Sequence, residues 1–248
     1  MKRYLLTVSY DGTAYCGWQR QKNGVAVQER VEEALQKALG VVTPVTGASR
    51  TDAGVHALGQ RAHFDAETTI PAHKLPFVLN RWLPYDIRVL SGQIVAEDFH
   101  ARFCAKGKTY TYRIHNAPQA SALYRNLSAH VPVHLEEQRM DQAARTLLGA
   151  HDFRAFQAAG GTAKTTVREI REIAVARAGE EVILTVTGGG FLYNMVRIIA
   201  GTLIEIGTGK RDGGCFLDAI STGDRLLLGP TAPPQGLELT RVFYEDIP

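Results

Sequence analysis

Cysteine is scarce in this chain of 248 residues, which holds only Cys16, Cys104 and Cys215. The three lie far apart, are odd in number and form no C-x-x-C pair, which argues against a disulfide framework and against a thiolate metal site. Unpaired cysteines are typical of a reducing compartment, so we expect a cytoplasmic protein. A composition of 45% hydrophobic and 21% charged residues indicates an ordinary globular protein.

Long apolar runs and nucleotide-binding motifs are also missing. The most apolar stretch, residues 191–206, is too short to span a membrane and contains Asn194 and Arg197. The N-terminus has only a short apolar run and is typical of a strand, not of a signal peptide. Three glycines at 188–190 precede a helical pattern but lack the remaining residues of a P-loop or of G-x-G-x-x-G. We therefore expect no membrane segment and no nucleotide cofactor.

Acidic residues are absent between Phe99 and Leu135, although the formal net charge of the chain is only +3. This basic aromatic window (residues 99–135) interleaves cations and histidines with Phe and Tyr rings, among them Arg102, Lys106 and Arg113. Cations can pair with phosphates, and rings can stack on unpaired bases, so the window predicts nucleic-acid binding. The alternative is that the rings form strand core and the cations a solvated face.

Hydrophobic periodicity predicts an α+β fold with a largely antiparallel sheet and helices packed on it. We expect two similar halves around a central cleft, with residues 1–104 forming an N-terminal half that carries Asp52 and residues 105–248 a C-terminal half that carries Tyr110 and Arg197. The expected strands are residues 4–10, 41–46, 60–65, 87–95, 108–115, 126–133, 166–177, 182–187 and 237–244. The expected helices are residues 27–39, 71–83, 135–148, 191–206 and 215–221.

Residues 47–57 concentrate Arg50, Thr51, Asp52 and His56 between small residues and glycines. Asp followed two residues later by Gly favours a tight turn, and apolar pattern on both sides predicts a loop held by ordered elements. Loops held in this way often carry functional side chains. For Asp52 alone, an ordinary turn residue remains the alternative.

Arg197 is the only charged residue between Phe191 and Ile204. Because a helix this apolar is expected to be buried, its guanidinium needs a partner, and Asp52 is one candidate. Pairing with Arg197 would lower the pKa of Asp52 and keep it ionised. Alternatively, Arg197 extends to the surface. His56, His63 and Asp65 match no tight metal-ligand spacing, so we expect no metal site.

Several motifs across nearly the whole chain resemble those of the tRNA pseudouridine synthase A family, in that family's order. They are residues 50–57 (RTDAGVHA), 10–13 (YDGT), 17–21 (GWQRQ), 27–28 (VQ), 80–84 (NRWLP), 98–102 (DFHAR), 108–113 (KTYTYR), 151–153 (HDF), 191–197 (FLYNMVR) and 229–233 (GPTAP). Ser49 stands where the family commonly has glycine, a departure that bears on the backbone shape of the loop.

The resemblance implies isomerisation of uridine to pseudouridine in the anticodon stem-loop of tRNA, at positions 38, 39 and 40. It implies a homodimer that uses no cofactor and no metal. By matching residues, Asp52 would be the catalytic carboxylate and Tyr110 the ring packed on the target base. Arg197 would be the partner of Asp52, and Arg50 would help to hold the flipped nucleotide.

The residues themselves leave the chemistry of Asp52 open. It could attack the sugar, attack the base, or remove a sugar proton. Two other function classes also remain: a non-catalytic RNA-binding protein that uses the basic aromatic window, and a carboxylate-dependent hydrolase of nucleosides or glycosides.

Overall fold

The computed structural model describes residues 1–22 and 24–245. Its helices are α1 (Val27–Leu39), α2 (Leu75–Leu79), α3 (Glu137–Arg145), α4 (Met195–Gly207) and α5 (Cys215–Thr222). Its strands are β1 (Lys2–Tyr10), β2 (Thr46–Gly47), β3 (His56–Ala66), β4 (Ile87–Val95), β5 (Gly107–His115), β6 (Ala129–His130), β7 (Gly149–Asp152), β8 (Val167–Ala178), β9 (Glu181–Gly188) and β10 (Leu237–Phe243). In these described residues, no helix is long and apolar enough to cross a membrane.

The chain forms two compact units. The first comprises Met1–Lys106 together with residues 238–245, and the second comprises Gly107–Leu237. The expected boundary at 104/105 thus lies close to the observed one at 106/107. The final strand was expected in the C-terminal half, and this was wrong. β10 pairs in parallel with β3, through Glu238 opposite His56, and so belongs to the first unit.

The first unit is built on strands in the order β4-β1-β3-β10, with β2 added to β3. β1 is antiparallel to both β3 and β4; burial alternates from Leu6 to Tyr10, as period-2 patterning predicts, whereas Tyr4, Leu5 and Leu6 are buried in succession. Tyr4 stacks on Phe64 across the pair, with ring centroids 5.3 Å apart. α1 buries one face, Val27, Val31, Ala34 and Leu35, and ends at Gly40 in the left-handed conformation.

The second unit orders its strands β5-β9-β8-β7, all antiparallel, with β6 beside β5. α3 packs against β8 and α4. α4 is buried on nearly every side, as expected for a helix that is apolar all round. At Gly207 a Cβ would crowd Leu135 and Met140, so glycine permits the close approach of α4 to the α3 region. Both units thus confirm the predicted α+β class with mostly antiparallel pairing.

Four predicted elements differ most in extent from the structure. The strand expected at 41–46 reduces to β2, because the backbone of Val45 bonds instead to side chains of α1. The strand at 126–133 reduces to β6, and the helix at 71–83 reduces to a short 3₁₀ turn followed by α2. The helix expected from Phe191 begins at Met195, because Asn194 takes a left-handed conformation with φ 60°.

Candidate functional site

The Asp52 loop (residues 48–55) connects β2 to β3 in the first unit. The Val55 amide donates to the carbonyl of Asp52 at 3.1 Å, and Gly54 has φ +76°. A positive φ at the third position of such a turn is characteristic of glycine. The turn leaves Asp52 half-buried, whereas Arg50 in the same loop is exposed.

Residues 10–18 clamp this loop from the other side. The Tyr10 hydroxyl lies 2.7 Å from Thr51 Oγ1, the Trp18 amide donates to the Thr51 carbonyl at 3.1 Å, and the Gly54 amide donates to the Tyr15 carbonyl at 3.2 Å. Gly17 has φ +105°, and a Cβ there would overlap the Thr51 carbonyl oxygen. The carbonyl that precedes Asp52 is therefore fixed by a segment more than thirty residues away in sequence.

Trp18 has a structural role. Its side chain is only 2% exposed, and a Cβ on Gly47 would overlap the indole ring. The ring packs beside Tyr10, with centroids 5.9 Å apart. Trp18 thus supports the base of the Asp52 loop.

Gln60 of β3 holds the start of the Asp52 loop. Its side chain is fully buried, its Oε1 accepts from the Ser49 amide at 3.1 Å and its Nε2 donates to the Ser49 carbonyl at 2.7 Å. Among the described residues, Asn194 is the one non-glycine with positive φ, so Ser49 adopts a backbone open to any L-residue. The serine in place of the family's glycine is accommodated without backbone strain.

The two histidines of β3 serve separate contacts. His56 Nδ1 accepts from the Gly12 amide at 3.0 Å, and His63 Nδ1 accepts from the Ala101 amide at 3.1 Å. Burial, with the neighbouring His100 second, lowers the pKa of His63. Within the part of the chain that the structure describes, no cluster of three or more His, Cys, Asp or Glu residues could hold a metal ion.

Tyr110 lies on β5 in the second unit and is 6% exposed. Its ring meets Phe191 edge-on, with centroids 5.2 Å apart and an interplanar angle of 88°. Phe191 belongs to the segment that leads into α4, so the same stretch of chain that positions the Tyr110 ring also carries Arg197.

Arg197 lies in the first turn of α4, where the helix dipole disfavours a cation. Its Nε donates to the Ala232 carbonyl at 2.8 Å, and its Nη1 donates to Asn194 Oδ1 at 2.7 Å. Asn194 reaches this position by taking the left-handed conformation. Two neutral oxygens from its own unit therefore help to orient the guanidinium.

The turn at Ala232 also contacts β5 through Tyr112. The Tyr112 hydroxyl donates to the Pro233 carbonyl at 2.8 Å, and burial raises the pKa of this phenol. Strand β5 and the first turn of α4 thus both donate hydrogen bonds to the 232–233 turn, which links the strand that carries Tyr110 to the helix turn that carries Arg197. Neither Asn194 nor Gln60 stood out in the sequence.

The basic aromatic window divides between the units. Arg102 and Phe103 are exposed in the first unit, whereas Tyr112 is core of the second. Arg113 lies 3.8 Å from Glu181, a diagonal neighbour on β9, since the residue directly opposite Arg113 is Ile183. Part of the window is therefore strand core, as the alternative interpretation held, and part is exposed cation and ring.

Comparison with known proteins places these motifs in a family. The family model described as tRNA pseudouridine synthase matches residues 6–104 and 143–245. The tRNA pseudouridine synthase A of Ruminiclostridium cellulolyticum is 50% identical over 98% of this chain and 100% of its own. That of Acetivibrio thermocellus is 46% identical over 98% and 100%, and that of Myxococcus xanthus is 46% identical over 100% and 94%. With matches of this extent across both units, the chain belongs to the tRNA pseudouridine synthase A family.

Proposed function

We propose that this chain converts uridine to pseudouridine in tRNA, with Asp52 as the catalytic carboxylate. The observation that carries the proposal is the support of Asp52: a half-buried carboxylate on a loop bonded to Tyr10, Tyr15, Trp18 and Gln60. A catalytic group must be held close to its productive geometry, and a loop fixed from two directions meets that need.

The reaction is an isomerisation whose atoms balance without a co-reactant. The C1′–N1 bond breaks, a C1′–C5 bond forms, and the C5 hydrogen is lost to solvent while N1 gains one. Asp52 acts on the sugar carbon, on the base, or on a sugar proton. The target base lies within an RNA stack and must first be flipped out, at a cost of about a few kcal/mol. The reaction in this form uses no cofactor and no metal.

The remaining site residues act around Asp52. Arg50, exposed on the same loop, holds the flipped nucleotide, and the Tyr110 ring packs on the target base. Arg197 is the ionic partner that keeps the Asp52 carboxylate charged. The Ala232 carbonyl and Asn194 Oδ1 support this role, because they hold the guanidinium in a defined position.

The substrate is the anticodon stem-loop of tRNA, at positions 38, 39 and 40, and the enzyme works as a homodimer. Support comes from the resemblance of the motifs and from relatives that carry the name tRNA pseudouridine synthase A at 44–50% identity.

The test is Asp52→Asn, which keeps the shape of the side chain and removes its charge. With tRNA labelled at uridine C5 with tritium, we expect the variant to release no tritium while its Kd for tRNA stays within about threefold. Asp218→Asn, a change of an exposed carboxylate on α5, is the matched control and should release tritium at the wild-type rate.

Normal tritium release by Asp52→Asn would overturn the assignment of the catalytic residue. Release of free uracil by the wild type would instead indicate a hydrolase. Mapping the modified nucleotides in wild-type product tests positions 38–40 separately.

A further inference from the structure

A second cationic and aromatic surface lies in the first unit, on the outward side of α2 and the turn that follows it. Leu75, Leu79 and Leu83 recur at intervals of four and are buried, which directs the intervening side chains outward. Large rings occupy these outward positions: Phe77 is 75% exposed, Trp82 45% and Tyr85 96%. Three exposed aromatic rings within nine residues are an unusual feature for a solvent-facing surface, since scattered apolar residues are the norm.

Every ring of this surface has a cation beside it. We define the α2 surface as these three rings with their cations. The separations from cationic group to ring centroid are 5.6 Å for Lys74 and Phe77, 5.6 Å for Lys37 and Trp82, 5.7 Å for Arg81 and Trp82, and 5.2 Å for Arg88 and Tyr85. These contacts hold the rings and the charges together as one patch.

The α2 surface is also free of acids along the chain. Residues 68–85 contain no Asp or Glu, and the next acid, Asp86, accepts a hydrogen bond from the Tyr15 hydroxyl at 2.7 Å. Lys74 and Arg81 therefore lie in a stretch of chain that contains no carboxylate, whereas Arg88 follows Asp86 by two residues.

This chemistry discriminates between partners. A second copy of the chain meeting the same patch about a two-fold axis would bring like charges together. An apolar protein partner would have to desolvate four cations. Unpaired nucleotides suit both the cations and the rings of the patch, since phosphates pair with the cations and bases lie on the rings.

We propose that the α2 surface is a binding site for unpaired nucleotides of the RNA substrate, separate from the Asp52 loop. That RNA is the substrate rests on the proposed function; the recognition chemistry rests on the α2 surface alone. The site is expected to prefer single-stranded or loop RNA over duplex, because stacked base pairs do not offer faces to the rings.

Tryptophan fluorescence gives a direct readout. The chain has two tryptophans, and Trp18 is buried while Trp82 is exposed on the α2 surface. We expect acrylamide to quench Trp82 selectively, and a bound uridine-rich oligonucleotide to protect it. In Trp82→Phe the RNA-dependent change should disappear. An RNA-dependent change that persists unaltered in Trp82→Phe would overturn the proposal.

Binding measurements separate stacking from charge. Combined Phe77→Ala and Tyr85→Ala should weaken binding of a single-stranded RNA by at least about fivefold and leave binding of a duplex unchanged, since stacking is lost for one or two bases. Lys74→Gln with Arg81→Gln should weaken both, and should reduce the slope of log K against log salt by about 0.7 per cation for single strands.

Matched controls lie in the second unit: Leu226→Ala for an exposed apolar side chain and Lys210→Gln for an exposed cation. Unchanged affinity of the aromatic variant for single-stranded RNA would overturn the proposal. The proposal would also be overturned if the aromatic variant changed from a dimer to a monomer in sedimentation while it retained its affinity for RNA. That result would make the α2 surface a self-association interface. The outcome for Asp52→Asn is independent of these measurements, because it reads turnover and they read binding.

Discussion

Gln60 offers the sharpest test of how the fold supports Asp52. Its buried amide bonds to both the N–H and the carbonyl of Ser49, eleven residues earlier. Gln60→Met preserves the volume of the side chain but removes both bonds. Ser49 is itself buried, so its two backbone groups would lose their partners in a place that water reaches poorly.

The magnitude follows from those two groups. An unsatisfied buried donor or acceptor costs about 1–3 kcal/mol, and partial relaxation of the loop reduces the sum, so we expect the free energy of unfolding to fall by about 2–4 kcal/mol. Relaxation also moves the Asp52 loop, and a displacement on the order of 1 Å costs roughly 100-fold in rate. Urea unfolding and single-turnover tritium release under conditions where the variant is folded measure the two effects separately.

Asn80 provides a matched control within the same unit. Its amide likewise bonds to both backbone groups of one residue, donating to the Val89 carbonyl at 2.9 Å and accepting from the Val89 amide at 2.8 Å. Asn80→Leu should lower stability without slowing the single turnover. Equal slowing by both variants, or a single-turnover rate within twofold of wild type for Gln60→Met, would refute the reasoning.

Three further predictions concern glycine, Asn194 and His63. Gly17→Ala should destabilise the protein and slow turnover, because its Cβ overlaps a carbonyl of the Asp52 loop, whereas Gly40→Ala, also at positive φ but with open space around it, should reduce only the unfolding temperature. Asn194→Gly should lower kcat while keeping the free energy of unfolding, since glycine accepts the left-handed backbone but cannot bond Arg197. Asn194→Ala should lower both kcat and the free energy of unfolding. Asn194→Asp retains an acceptor and should keep a higher kcat than Asn194→Gly. The pKa of His63 in the folded protein lies below its ordinary value of 6.5, so the unfolded chain binds the proton more readily. The stability that neutral His63 contributes is therefore complete above pH 6.5 and is lost as the pH falls below 6.5 toward the lowered pKa. Urea unfolding between pH 8 and pH 5 should show a shallower decline for His63→Gln, and an unchanged decline would contradict the assignment.

Local pattern was sufficient for some of the regular elements. The apolar stripe of α1 and the glycine after it predicted Val27–Leu39 to the residue, and the strand expected at 87–95 matches Ile87–Val95. Periodicity succeeds for α1 because the helix buries one face, and burial of one helix face recurs at every third or fourth residue. It failed at 41–46, where the apolar Val41 and Val42 are exposed and the backbone bonds to side chains of α1.

The candidate site was predicted in part. The density of polar residues and glycine in residues 47–57 indicated a supported loop, and Arg197 stood out as a lone charge in an apolar helix. The carboxylate expected beside Arg197 remains a proposal, and the contacts described for its guanidinium are an amide oxygen of Asn194 and the backbone of Ala232. The sequence placed Asn194 inside the expected helix, and only the structure gives it the left-handed conformation from which its side chain accepts from Arg197.

The sequence by itself determined the α+β class, the place of the Asp52 loop between two ordered elements, and the family to which its motifs belong. Tertiary structure decided what holds that loop: Trp18 beneath Gly47, Tyr10 on Thr51, and Gln60 on Ser49. The physical reason is the range of the interactions. Periodicity records which face of an element is buried, whereas a hydrogen bond such as Tyr10–Thr51, formed across 41 residues, leaves no periodic trace in the residues that separate its ends.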